Sequence, residues 1–388
     1  MHWGRLLNVN CKIYNKNTYH FKNHAKYLLY RHSHTSDHTM KLHCLPVTIA
    51  LAIFATTIAS HPDHVLDPDP AEAPGTPAFG SDFTYPFPVH HYHFISQGQH
   101  LAMAYMDVRL SRAPNHRTVM LMHGKNFCGA TWNTTIHVLA TAGYRVIVPD
   151  QIGWCKSSKP HDYQFSLHQL SLNTYNLLGQ LGIPARQNIT VIGHSMGGMT
   201  AVRFALMYPT FTERLVLVNP IGLEDWKALG VPYQPINTTY SQELASNYSS
   251  IRAYEQSTYY ANTWNSSYDV WVDMLVNIYR SPFYGAAFAW DMALATDMVF
   301  TQPVVYEFPL ITSKTLLLIG DKDNTAIGKA WAPDSIKPLL GHYEVLGKKV
   351  AALINRSKLI EFADLGHAPQ IQAPDVFHEA LVGWLKAT

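Results

Sequence analysis

Charge is scarce in this chain. Asp, Glu, Lys and Arg make up 14% of its 388 residues, and the net charge is only +2. That argues against a nucleic-acid binder, which carries a basic patch or stripe to meet phosphates. Much of the small basic excess also lies before residue 60. Cysteine is scarcer still: Cys11, Cys44, Cys128 and Cys155 are the whole supply, too few for a disulfide scaffold. No internal repeat is present. What is abundant is apolar residue, 47% of the chain, enough for a globular protein with a substantial core. The length exceeds that of one ordinary domain. Histidines number 22, but many fall in the N-terminal stretch, and abundance alone makes no metal site.

A second methionine organises the first sixty residues. From Met40 the chain runs MKLHCLPVTIALAIFATTIAS: a basic start, an apolar run, then small residues. This is the layout of a secretory signal peptide over 40–60, with Ala59 or Ser60 as its last residue. The run contains His43, Pro46 and several threonines, and is short for about 30 Å of hydrocarbon. Residues 1–39 then read as a start-site extension; a signal anchor with a cytoplasmic tail is the alternative. Residues 61–88 are proline-rich and aperiodic, a linker. The expected product is secreted, without stable membrane insertion after cleavage. Candidate glycosylation sequons fit that address: Asn133, Asn237, Asn247, Asn265 and Asn355 each begin an N-x-S/T triplet. Asn188 begins a sixth, but it heads an expected strand and is the least suited to use.

Beyond the linker, HHYHFISQ and LAMAYMDVRL read as two antiparallel strands. RTVMLM, YRVIVP, NITVIG, RLVLVNP, TLLLIG and SKLIEF are short apolar runs bounded by turn residues, and they alternate with helical stretches. One such helix carries Leu167, Leu170, Leu177, Leu178 and Leu181 on a stripe stopped by Gly182. The alternation predicts a mostly parallel sheet with right-handed crossovers. It breaks between residues 222 and 306, where no buried strand is evident but ten tyrosines and four tryptophans are. The expected organisation is a core over 89–221, a helical cap over 222–306, and the rest of the core over 307–388. Most cap aromatics should pack the cap, with a few lining an apolar pocket.

The strongest chemical signal is Gly193-His194-Ser195-Met196-Gly197, set between an apolar strand and an apolar helix. That context is the one a G-x-S-x-G nucleophile elbow requires. Ser195 would occupy a strained turn, with glycines where side chains would clash. A serine hydroxyl needs a base, and His367 in ADLGHAPQ, on a loop after a late strand, is suited to the role. Asp323, after TLLLIG, is the candidate that orients the imidazole; Asp321, Glu224 and Asp225 are competitors. The intermediate needs backbone N–H donors: Met196 directly after the nucleophile, and Lys125 in His123-Gly124-Lys125-Asn126-Phe127-Cys128-Gly129, with Asn126 or Phe127 behind it. His90, His91 and His93 suggest a metal cluster only superficially. On a strand His90 points away from the other two, and no carboxylate or cysteine partner is evident. No metal and no cofactor are expected.

With these landmarks, LMHGKNFCG, VPDQIGWCKSSKP, VIGHSMGGM, LLLIGDKD and FADLGHAPQ, the chain resembles the α/β-hydrolase superfamily from about residue 89 to its end. The resemblance implies an eight-stranded, mostly parallel sheet flanked by helices, with the cap as an insertion. It is closest to the capped branch of esterases, lactonases and carbon–carbon bond hydrolases. Epoxide hydrolases and dehalogenases of that branch carry aspartate where this chain has Ser195, so those chemistries are not expected. The order Ser, Asp, His along the chain is that of the fold. Asp150, Gln151, Gly153, Ser157, Lys159 and Pro160 match a family loop that shapes the sheet edge. The resemblance also makes the strands before Cys128 and Cys155 neighbours, which implies a disulfide between these two in an oxidising destination.

Three functions follow as expectations. The leading one is hydrolysis of a carboxylic ester or lactone, on an apolar or aromatic small molecule, through an acyl-enzyme. The second is a carbon–carbon bond hydrolase of a diketone acid, whose carboxylate would want Arg252 or Arg280 facing the pocket. The third is a small-ligand-binding protein without turnover.

Overall fold

The computed structural model describes residues 83–184 and 187–388; the leader, its upstream extension and the linker to residue 82 lie outside them. Eight strands form one sheet in the order β1-β2-β4-β3-β5-β6-β7-β8. They are β1 His90–Ser96, β2 Gln99–Val108, β3 Thr118–Met122, β4 Arg145–Pro149, β5 Ile189–His194, β6 Thr212–Val218, β7 Lys314–Gly320 and β8 Ser357–Phe362. β1 and β2 form an antiparallel hairpin, β2 runs antiparallel to β4, and every later pairing is parallel. This is the α/β-hydrolase fold.

The central strands are short because each is buried on both faces, as a parallel sheet between helical layers requires. Along β3 the alternation is plain. Met120 and Met122 pack into one apolar cluster, with Val191, Leu215 and Leu317. Val119 and Leu121 pack into the other, with Ile192, Val216 and Leu316. The first layer receives α2 Leu167–Gln180 and α3 Met196–Met207, and the second receives α1 Asn133–Thr141 and the C-terminal helix. In α2 the buried stripe is Leu167, Leu170, Leu177 and Leu178, and Ser166 caps its start by accepting from Gln169 N–H. Gly182, at φ +69°, turns the chain out after it.

Between β6 and β7 the described residues form no strand. Four helices fill the gap: α4 Ile236–Leu244, α5 Tyr248–Tyr254, α6 Asp269–Tyr279 and α7 Gly285–Thr301. α5 runs on into a π-helical turn, Glu255–Tyr259. Tyr260 and Tyr268 stack 3.8 Å apart and Trp264 meets both edge-on. α8 Tyr343–Leu353, α9 Pro369–Gln372 and α10 Pro374–Ala387 complete the chain. No helix among the described residues is long and apolar enough to cross a membrane.

Cys128 and Cys155 are joined by a disulfide, their α-carbons 5.9 Å apart. Together with Asp150 they form the one metal-capable cluster among the described residues, but both sulfurs are in the bond to each other. Asp150 instead ties loops together, accepting from Gly129 N–H, Lys156 N–H and the Tyr85 hydroxyl. His90, His91 and His93 are exposed on the edge strand; His90 packs beside Tyr105, away from the other two. All six sequon asparagines are exposed, Asn188 included, because it sits just before β5 and not within it.

Candidate active site

Ser195 stands where β5 ends and α3 begins, with φ +56°. A side-chain-bearing residue is strained there, and the surroundings hold it in place. Ser195 N–H donates to Val218 O, and Ser195 O accepts from Gly198 N–H and Ile221 N–H. The turn is too tight for side chains beside it. A Cβ on Gly193 would sit 2.1 Å from Gly197 O, and one on Gly197 would sit 2.2 Å from Met122 O. Sequence and geometry therefore agree on why G-x-S-x-G is written as it is.

His367 and Asp323 come from the loops after β8 and β7, at the same edge of the sheet. His367 Nδ1 is joined to Asp323 Oδ2 at 2.7 Å, with both side chains buried. Asp323 also accepts from Asn219 Nδ2 at 2.9 Å and from Thr325 N–H at 2.8 Å. Three donors on a buried carboxylate fix its orientation and offset its desolvation. The competing carboxylates are elsewhere. Glu224 accepts from Trp226 and Gly341, Asp225 from Tyr306 and Lys227, and Asp321 makes no bond to His367. Ser195 Oγ makes no hydrogen bond among the described residues, and such contacts in ligand-free sites are often long until substrate binds.

The His-Gly loop after β3 closes the site from the other side. His123 Nδ1–H donates to Gly124 O, and its Nε2 accepts from Gln151 N–H, so the ring bridges two loops. Burial holds both His123 and His194 below the ordinary imidazole value, and the neighbouring His367 pushes His194 further down. His194, kept neutral, donates through Nε2 to His367 O at 2.7 Å. Gly124 lies against the elbow: a Cβ there would meet Ser195 Cβ at 3.0 Å. Phe127 N–H is engaged by Gly124 O, which removes it as an oxyanion donor. Lys125 N–H and Met196 N–H have no acceptor among the described residues; Met196 opens α3, where amides lack helical partners. Trp154 pins this loop by donating to Lys125 O.

Two contributors carry no sequence signature. Asn219, after β6 at φ +36°, accepts from Gly320 N–H while donating to Asp323, and so ties the end of β6 to the end of β7 and the loop that carries Asp323. Tyr259 lies over His367 with ring centroids 5.0 Å apart and accepts from Asn126 Nδ2. Neither belongs to a recognisable motif, because each acts through a contact between distant segments.

Under the cap lies a cavity of about 580 Å³. It abuts two of the loops that build the site, reaching Lys125 and Asn126 after β3 and Asn324 and Thr325 after β7; Ser195 and His367 are not in its wall. Ile251, Leu275, Ile327, Tyr254, Tyr279 and Trp331 give it apolar wall. Its wall is mainly apolar, as an aromatic-rich cap suggested, with Gln242, Glu243 and Glu255 adding polar groups. Lys125 Nζ pairs with Glu243 at 2.6 Å, and Tyr279 donates to the same carboxylate. Arg252 stacks on Trp264, Arg280 is exposed, and neither lines the cavity.

A sheet of this topology with a serine elbow and a histidine–carboxylate pair at its edge defines a class. The family model described as alpha/beta hydrolase fold matches residues 117–374, and the chain belongs to that family. Among solved structures it is similar to a probable hydrolytic enzyme of Pseudomonas aeruginosa PAO1, 56% identical with a TM-score of 0.75, covering 78% of this chain and 95% of the other. Lipase 1 of Psychrobacter immobilis is 28% identical over 271 residues, 66% of this chain and 73% of the lipase. A 2-hydroxy-6-oxononadienedioate/2-hydroxy-6-oxononatrienedioate hydrolase of Paraburkholderia xenovorans is 38% identical over 105 residues, 26% of this chain and 35% of its own. The chain spans 29% of the length of the mycobacterial relatives that it matches over 106 residues.

Proposed function

We propose that this α/β-hydrolase is a secreted serine hydrolase that cleaves a carboxylic ester or lactone through an acyl-enzyme. The observation that carries the reading is the buried His367–Asp323 pair at the sheet edge where the elbow presents Ser195. Ser195 Oγ attacks the carbonyl carbon as its proton passes to His367 Nε2. Asp323, bonded to Nδ1, keeps the ring oriented and balances the imidazolium. The oxyanion forms against Met196 N–H and Lys125 N–H. His367 then protonates the leaving alkoxide, and water repeats the sequence to free the acid.

The carbon–carbon bond reading asks for a cation to hold the substrate's carboxylate. Neither cap arginine lines the cavity, and its two lysines are held, Lys125 by Glu243 and Lys329 by the carbonyls of Asn324 and Leu340. The ester and lactone reading needs no such partner. Secretion draws its support from the leader pattern after Met40, the Cys128–Cys155 bond and the exposure of every sequon.

Purified protein assayed on matched esters, lactones and vinylogous diketone acids tests the reaction. Turnover of the diketone acids alone would overturn the reading. N-terminal sequencing of the exported chain should start at Ser60 or His61; a mature chain retaining residues 1–39 would overturn the address.

A further inference from the structure

Glu255 differs from Glu243, the other carboxylate that lines the cap cavity. Its residue is 1% exposed, it lines the cap cavity, and neither carboxylate oxygen has a hydrogen-bond partner among the described residues. A buried carboxyl left unpaired is costly, so its surroundings must keep it neutral or supply a partner. Among the described residues no cation is placed to do so. Lys125 is held by Glu243, Arg252 lies over Trp264 and bonds Gln256, and Lys329 is held by backbone carbonyls. The segment carrying Glu255 is the π-helical turn that ends at Tyr259, and Thr258 O within it accepts from His367 N–H. One short turn therefore links the cavity to the catalytic histidine, and such turns recur at functional sites.

We propose that Glu255 is a specificity residue, a neutral carboxylic acid that donates a hydrogen bond to an acceptor oxygen, keto or ether, carried by an otherwise apolar substrate. This rests on the ester reading for the identity of the bond cleaved, but not for binding itself. Burial raises the Glu255 carboxyl to about 8, so the donor is present at neutral pH. The titratable groups coupled to it are Tyr254, Tyr259 and Tyr260 of its own and the adjoining segment, while Glu243 of α4, Tyr279 of α6, Lys125 after β3 and Lys329 after β7 share the cavity wall. The tyrosines stay neutral across the relevant range, since burial raises Tyr259, Tyr260 and Tyr279 further.

The test uses p-nitrophenyl oxoalkanoates with the keto group stepped along the chain, each against its parent alkanoate. Binding is measured by calorimetry in the Ser195→Ala protein, so the result stands whether or not the native enzyme turns these esters over. At pH 6.5 one keto position should bind roughly tenfold more tightly than its parent, the worth of one well-made hydrogen bond. Adding Glu255→Leu should abolish that preference. Adding Glu255→Gln should keep it, because the amide also donates. The preference should decline as pH rises through about 8 with Glu255 in place, and stay flat with glutamine. Equal binding of all pairs, or a preference untouched by Glu255→Leu, would overturn the proposal. So would a preference that grows with pH and disappears in Glu255→Gln, since that is how an ionised carboxylate facing a donor behaves. Absence of native turnover would count against the ester reading alone.

Discussion

Two buried carboxylates mark the difference between the sheet edge and the cap. Asp323 accepts three hydrogen bonds with no ligand present, from His367, Asn219 and Thr325. Glu255, as deeply buried, accepts none. The first belongs to a frame the fold itself assembles, in which strand ends and loop amides satisfy the groups that do chemistry. The second belongs to the wall of the cap cavity, where, on the proposal above, a substrate supplies the partner. On the proposed reading, the sheet edge sets the reaction type and the cap sets selectivity. Preorganisation of the first kind is what makes an electrostatic site effective.

The comparison breaks most directly at the nucleophile. Ser195→Ala should lower kcat/KM by about 10⁴-fold or more, with the fold intact by circular dichroism. Full activity in that variant would remove the sheet edge from the chemistry altogether.

The next largest effect belongs to Glu255 and is read in stability. Its carboxyl is raised from an ordinary value near 4.5 to about 8 in the folded chain. Below about pH 4.5 both folded and unfolded states hold the proton, and the group costs nothing extra. Between there and 8 the unfolded state ionises while the folded state does not, so stability falls as pH rises, at up to about 1.4 kcal/mol per unit. The native Tm should therefore drop, relative to Glu255→Gln, between pH 5 and pH 8, by an amount worth on the order of a few kcal/mol. A native Tm that rises against the glutamine variant over this range would contradict a neutral buried acid.

The disulfide sharpens the contrast by tying the loop after β3 to the loop after β4. It closes a segment of 27 residues, which in the chain-entropy model is worth about 3 kcal/mol. Reduction should lower Tm and also activity, because Cys128 lies on the loop whose Lys125 N–H is proposed to face the oxyanion. Activity that survives reduction unchanged, at a temperature where the protein stays folded, would show that this loop holds itself.

How much of this was legible in the residues divides along the same line. The strand runs, the α2 leucine stripe and the G-x-S-x-G turn are local patterns, and each is formed by neighbours in sequence. Asp323 and His367 were legible because loops after late strands of this fold meet at one edge. The disulfide followed from strand adjacency that the resemblance implied. Asn219 and Tyr259 were not legible, since their roles depend on contacts to Gly320, Asp323, Asn126 and His367, far away in the chain. Glu255 was hidden for another reason. A glutamate in a helical, polar stretch normally faces water, and only the packing of the cap reveals one that does not. The apolar, aromatic character of the cap was legible from composition, but composition does not say which of its few polar side chains point inward.

The smallest expected effect falls on Asn219, and it asks whether the Asp323 frame is as preorganised as its three bonds suggest. Asn219 donates to Asp323 Oδ2, the same oxygen that meets His367 Nδ1, and its own oxygen accepts from Gly320 N–H. Replacing it with alanine leaves Asp323 with two donors and frees a strand-end amide, so the carboxylate can rotate away from the imidazole. Supporting contacts of this kind are commonly worth tenfold to a hundredfold at metal sites; with two donors remaining, roughly tenfold is expected here. The loss should appear in kcat and not in KM, because Asn219 does not line the cavity. It should appear equally in the rate at which a fluorophosphonate labels Ser195, since that step uses the same base. A variant that raises KM while labelling at the native rate would mean that Asn219 shapes the pocket, and that the contrast between a finished frame and an unfinished cap is drawn in the wrong place.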